Sequence, residues 1–137
     1  MRPIVATIAL LFTTLAPLAA QADSPSAAPS DCVLKLYRIG SVNPYRVEEH
    51  SGKATISRLR GAELWVVAEP GLTKEWLQLT LTRHLAEMRG TMKDCPLDMA
   101  DVRVSVDSAG AGFSVRIVAR DTEHAEEVLR RARQLLE

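Results

Sequence analysis

The chain has no excess of charge of either sign: 17 Lys and Arg stand against 17 Asp and Glu. That balance leaves no electrostatic footprint for nucleic acid and no polybasic patch for an anionic membrane. Cysteine is scarce, with Cys32 and Cys95 the two in the chain. There is no Cys-x-x-Cys, no His-Glu-x-x-His and no Gly-x-Ser-x-Gly elbow, so the common metal, redox and hydrolase signatures are absent. Gly110 and Gly112 do not precede a helix as a phosphate-binding loop would, and they read as a turn. Asp94, Asp98 and Asp101 flank Cys95 without the spacing of a calcium loop. No catalytic constellation is recognisable, and the chain reads as non-enzymatic.

The one long apolar run lies at 4–18, behind the positive charge of Arg2. Ala20 and Ala22 then present small side chains to a signal peptidase, just before Asp23. The run is too short, and its flanks are wrong, for a spanning helix, so residues 1–22 read as a cleavable secretory signal peptide. The leader takes Arg2 and no acid with it, leaving 16 basic residues against 17 acidic. Export also places Cys32 and Cys95 in an oxidising compartment, where two cysteines read as one disulfide. A lipid-anchored Cys32 is rejected, because Pro29-Ser30-Asp31 before it is wrong for that and the apolar run ends far upstream. No membrane anchor is expected after cleavage.

Residues 23–31, rich in Ser, Pro and Ala and without periodicity, read as a disordered linker to a single domain at 32–137. Alternation from Cys32 to Tyr37 predicts a strand, and the polar stretch 40–53 a connection. Residues 54–59 and 63–69 read as two strands joined by a type II′ turn at Gly61-Ala62, the second apolar on both faces and therefore central. Thr73 predicts the N-cap of a helix running to about 89, with Gly90 at its left-handed C′ position. Leu77, Leu81, His84, Leu85 and Met88 share one face of that helix. Alternation at 102–106 and 113–120 predicts a further strand pair joined by a flexible loop at 108–112. Asp121 or Thr122 caps a last helix whose inner face is Ala125, Val128, Leu129, Ala132 and Leu136, with Glu126→Arg130 and Glu127→Arg131 pairs outside. The expected fold is α+β: an antiparallel sheet of about five strands with two helices on one face, β-ββα-ββα.

His84, Met88 and Met92 recur every fourth residue, and Cys95 and Met99 follow. Imidazole and thioether donors suit Cu(I), and thioethers survive an oxidising compartment. Against this, His84 and Met88 lie in the middle of an apolar face where a methionine fills gaps and a histidine is ordinarily a hydrogen-bonded core residue. A bridged Cys95 also offers no thiolate. Trp76, Leu79 and Arg83 lie off the apolar face; Trp76 and Leu79 form a strip for a partner or a second copy of the chain, unless the first strand, the polar connection or the linker covers it. His50 beside Glu48 and Glu49 has no neighbouring nucleophile, and His124 at the start of the last helix reads as exposed.

The segments Pro70-Gly71-Leu72-Thr73, His84, Cys95-Pro96-Leu97, 108–113 and Val128-Leu129-Arg130-Arg131-Ala132, in that order, resemble a group of small exported proteobacterial proteins of no established function. The resemblance runs from about residue 69 to the C-terminus. It implies a periplasmic address in a Gram-negative cell and carries no activity to transfer. Some similar sequences look richer in Met and His near the Cys-Pro-Leu segment, where this chain has Met88, Met92 and Met99. The expected function is that of a small disulfide-stapled periplasmic binding or accessory module with an unidentified protein partner, no cofactor and the possibility of a homodimer. The alternative is a Cu(I) carrier using His84, Met88, Met92 and Met99.

Overall fold

The computed structural model describes residues 31–87 and 90–137. The leader, the linker up to residue 30 and Met88 lie outside the described residues. The order of elements is a 3-10 turn (Val33–Leu36), β1 (Ile39–Ser51), β2 (Ala54–Val67), α1 (Lys74–Glu87), β3 (Arg103–Ala109), β4 (Gly112–Val118), α2 (Thr122–Arg133) and a closing 3-10 turn (Gln134–Leu136). The sheet has four antiparallel strands in the order β1-β2-β4-β3. The class is therefore α+β with two helices, as the periodicities predict, and the strand count is four rather than about five.

Three local readings change together. Val33–Leu36 forms a 3-10 turn, not a strand: the Lys35 N–H donates to the Cys32 carbonyl at 2.9 Å and the Tyr37 N–H to the Leu34 carbonyl at 3.2 Å, and the consecutive Val33 and Leu34 are both buried. The polar stretch 40–53 is mostly strand β1, and its alternation is muted because it lies at the sheet edge. Pro44 is tolerated there, since an edge strand can spare an N–H. Gly61 is not a turn. Arg46 pairs with Leu59 and Tyr45 with Gly61, so Arg60 is an extra residue, a bulge inside the single long strand β2. Gly61 has φ 149, and a Cβ there would lie 1.9 Å from the Ile117 carbonyl oxygen, so only glycine fits. A glycine does head the two-residue turn of this hairpin, but it is Gly52, at φ 62, between the paired Ser51 and Ala54. The second hairpin is also tighter than expected, closing Ala109 on Gly112 through Gly110-Ala111.

Both helices start where their caps predict. Thr73 Oγ1 accepts from the Trp76 N–H at 3.2 Å, and Asp121 Oδ1 from the His124 N–H at 2.9 Å. Gly90, at φ 76, supplies the left-handed residue beyond α1. Each helix packs on the hairpin of the other half: α1 follows β2 and runs against β3, while α2 follows β4 and lies on β2. One face of the sheet is buried beneath them, with Ala62, Leu64 and Val66 of β2 opposite Ile117, Val115 and Phe113 of β4. Leu77 and Leu81 of α1 and Ala125, Val128, Leu129 and Ala132 of α2 close this core, whereas Leu136 is exposed rather than inward. Glu127 takes Arg131 at 2.6 Å as the spacing predicts, but Arg130 also turns to Glu127, not to Glu126. Among the described residues, no helix is long and apolar enough to cross a membrane.

Candidate functional site

Two places on this frame concentrate chemistry. The first is the loop that leaves α1. Cys95 is disulfide-bonded to Cys32, with the Cα atoms 5.2 Å apart, so the bridge ties that loop to the N-terminal 3-10 turn and not to a strand. Asp98, itself buried, accepts the backbone N–H groups of Gly90 and Met92 and folds the loop back on the helix end. Arg131 of α2 donates Nη1 to the carbonyls of Cys95 and Asp98 at 3.3 and 3.4 Å. The loop is thereby held from both sides.

His84, on the last described turn of α1, is buried and places Nε2 3.6 Å from Cys95 Sγ. Burial lowers its pKa below the ordinary imidazole value, against the opposing pull of the Asp98 and Glu87 carboxylates. The donor atoms of Cys32, His84 and Cys95 all lie within 4.8 Å of one another. A small cleft of about 130 Å³ opens beside the bridge, lined by Asp31, Cys32, Lys35, Cys95 and the loop residues 91–94. Of the expected His/Met set, His84 and Met92 are buried and Met99 is half-buried in the core. The side chain that His84 Nε2 meets is a cysteine rather than a methionine. The helical spacing pointed along α1, whereas the contact is made across the loop.

The second place is the face of the sheet that carries no helix. Glu63 of β2 stands opposite Arg116 of β4, and its Oε1 accepts from Arg116 Nε at 2.9 Å and from the Ser114 hydroxyl at 2.6 Å. The Ser114 bond and the guanidinium hold the Glu63 carboxyl below its usual range. Arg116 continues to Asp107 at 3.1 Å and lies over the Tyr45 ring, 5.6 Å from its centroid. Beside this chain the Trp65 indole lies across three strands. A Cβ on Gly40 of β1 would stand 2.4 Å from its six-membered ring, and one on Gly112 of β4 would stand 2.3 Å from the Val66 carbonyl oxygen and 3.1 Å from the indole Nε1. Trp65 Nε1 donates to the Ala109 carbonyl at 3.3 Å. A shallow cleft of about 290 Å³ borders it, lined by Ser41, Asn43, Glu63, Trp65, Ala109 and Ser114.

Sequence reasoning placed Trp65 in a buried central strand and did not single out this face. The signal available was the glycine on each side, legible only once the register is known. Elsewhere, Trp76 and Leu79 are 58% and 53% exposed, with Arg83 exposed beside them, so neither β1 nor the 3-10 turn covers that strip. His50 is exposed on β1, and His124 pairs with its own cap residue, Asp121, at 2.8 Å. No known family, curated protein or solved structure matches the chain.

Proposed function

We propose that the protein is an exported, non-enzymatic binding module of the Gram-negative periplasm, and that its helix-free sheet face receives a protein partner. One observation carries this reading: Trp65 is bedded between Gly40 and Gly112 on the solvent side of the sheet. Glycine inside a strand weakens it by about 0.5–1 kcal/mol and contributes no packing. Gly40, at the register shift of β1, adds nothing to the core on the opposite face, and Gly112, which answers first to the Val66 carbonyl, meets the indole at its other edge. They do hold a large aromatic surface in one orientation. Tyr45, Arg116 and Glu63 beside it fix one another through hydrogen bonds and a ring contact. Trp, Tyr and Arg are the side chains that anchor protein interfaces, and anchors held in place before binding lose little freedom on docking. The exposed Trp76, Leu79 and Arg83 strip is a second, smaller candidate.

The test is photo-crosslinking in the periplasm from an unnatural residue at position 43, on the open face, and from one at position 133 on α2. A discrete partner adduct from position 43, lost with Trp65→Ala, supports the reading. Adducts from position 133 alone, or adducts indifferent to Trp65→Ala, contradict it.

A second reading, carriage of Cu(I) by His84, Met88, Met92 and Met99, of which Met88 lies outside the described residues, is favoured by Met92 lining the cleft beside the bridge. Native mass spectra of the disulfide-bonded protein with Cu(I) and a competing chelator test it. Retained copper supports it, and none excludes it.

A further inference from the structure

The Cys32–Cys95 bridge and His84 form a buried group that the binding-module reading does not use. We infer that this group is a soft-metal site latched by its own disulfide, which takes one Cu(I) ion on Cys32, His84 and Cys95 once the bridge is reduced. This goes beyond the docking face and does not depend on it. It also differs from the His/Met carrier, which needs no reduction.

Geometry carries the inference. The three donors, two sulfurs and one imidazole, lie within 4.8 Å of one another and are buried. On a single ion with bonds of about 2.3 Å to sulfur and about 2.0 Å to imidazole, the values known for zinc, a sulfur and a nitrogen sit about 3.5 Å apart at tetrahedral angles and about 3.7 Å apart on a three-coordinate ion. His84 Nε2 and Cys95 Sγ already stand at 3.6 Å. The imidazole is thus placed as a ligand before any ion arrives. Only the two sulfurs must part, to about 4.0 Å on a three-coordinate ion. The cleft beside the bridge gives an entry path and space for that movement.

The donor set selects the ion. Two thiolates and an imidazole are soft or borderline ligands, and three of them suffice for Cu(I). A structural zinc site asks for a fourth protein ligand. The Asp98 carboxylate is occupied by the backbone N–H groups of Gly90 and Met92, and the carboxylates of Asp31 and Asp94, which line the cleft, do not join the group within 4.8 Å. The buried Met92 thioether at the cleft is soft as well.

The chemistry balances as follows. A dithiol reductant delivers two electrons and two protons to the bridge by thiol–disulfide exchange and leaves as its own disulfide. The Cys32–Cys95 bond breaks into two thiols. Cu(I) then binds as both thiols release their protons to solvent, while neutral His84 contributes its lone pair. A small disulfide oxidant reverses the exchange: it takes two electrons from the thiolates and two protons from solvent, leaves as its own dithiol, re-forms the Cys32–Cys95 bond and releases the ion still as Cu(I), so binding follows the redox state of the protein.

The experiment uses the mature protein, disulfide-bonded or reduced anaerobically with a phosphine, titrated with Cu(I) against a chromogenic chelator. The reduced protein should remove one equivalent from the chelator, and the disulfide form should retain at least tenfold less. Cys32→Ser with Cys95→Ser should abolish uptake. His84→Leu, whose fold is verified first in its bridged form, should weaken uptake by the reduced protein at least tenfold. Equal uptake by the disulfide form overturns the latch and points to the His/Met carrier. No uptake by the reduced protein, or uptake indifferent to His84→Leu, overturns the site. Tight Zn(II) binding without Cu(I) binding overturns the choice of ion. If reduction unfolds the chain, one equivalent of Cu(I) should restore its helical circular dichroism, and failure to do so also overturns the inference.

Discussion

The Val106 N–H donates to Gln78 Oε1 at 2.8 Å, and Gln78 Nε2 donates to the Val104 carbonyl at 3.2 Å. A single carboxamide on α1 thus gives edge strand β3 the two hydrogen bonds that a neighbouring strand would supply. Lys74 on the same helix reaches Asp107 at 3.7 Å, so α1 runs along the edge as well as over the core. An edge covered in this way cannot recruit another strand. The uncovered edge is β1, where Pro44 interrupts the donors.

Gln78→Ala should therefore destabilise the fold by about 1–2 kcal/mol, because it leaves a strand N–H and a carbonyl without partners. A domain of this size should lose about 4–8 °C of Tm for each of those kcal/mol. Thermal unfolding measures it. An unchanged Tm would mean that water replaces the carboxamide at no cost.

Gly61 and Gly52 both have positive φ, but their surroundings differ. Gly61→Ala meets the Ile117 carbonyl, and Gly52→Ala meets nothing within 4 Å. Urea denaturation should show a loss above about 3 kcal/mol for Gly61→Ala. For Gly52→Ala it should be about 1 kcal/mol, the strain of a left-handed residue alone. The reverse order contradicts the bulge.

This pair also shows what the sequence conceals. A glycine between two apolar runs serves a turn or a bulge equally well locally. The deciding contact at Gly61 comes from Ile117, far along the chain. The helices were legible because their signals are local: Thr73 and Asp121 cap, and Leu77, Leu81, Ala125, Val128 and Ala132 recur at helical spacing. Strand β1 was not, since an edge strand needs no strong hydrophobic alternation and Arg46, Glu48 and His50 look like a loop. The Cys32–Cys95 pair followed from the count of two cysteines and the oxidising compartment expected for them. The contact of His84 with that pair did not, because nothing in the spacing places a helix residue beside a loop sulfur.

Acid should weaken the fold through two paired carboxylates. Glu63 and Glu127 both lie below their ordinary value of 4.5, Glu127 at about 2 because Arg130 and Arg131 donate to it. A carboxylate depressed in the folded state contributes fully above its unfolded value and loses that contribution as pH falls towards the folded one. Stability should thus decline from about pH 4.5 towards about pH 2, and Glu127→Gln should flatten the decline. Denaturation midpoints across that window measure it, and identical slopes for both proteins contradict the pairing.

The bridge closes a span of 63 residues. In the chain-entropy model a loop of that length constrains the unfolded state by about 4 kcal/mol. Replacing both cysteines by Ser should lower the urea midpoint accordingly while leaving the helical signal of the folded protein intact. A variant as stable as the bridged protein would show that the connection after α1 is held by Asp98 and Arg131 alone.

The proposed export to an oxidising compartment underlies the staple, the docking face and the latched site alike. The mass of the mature protein recovered from the periplasm tests them together. The account predicts a chain that begins at Asp23 and is lighter by two hydrogens than its reduced form, with Cys32 and Cys95 in one disulfide-linked peptide. A chain that retains its leader, or one that carries two free thiols, contradicts it.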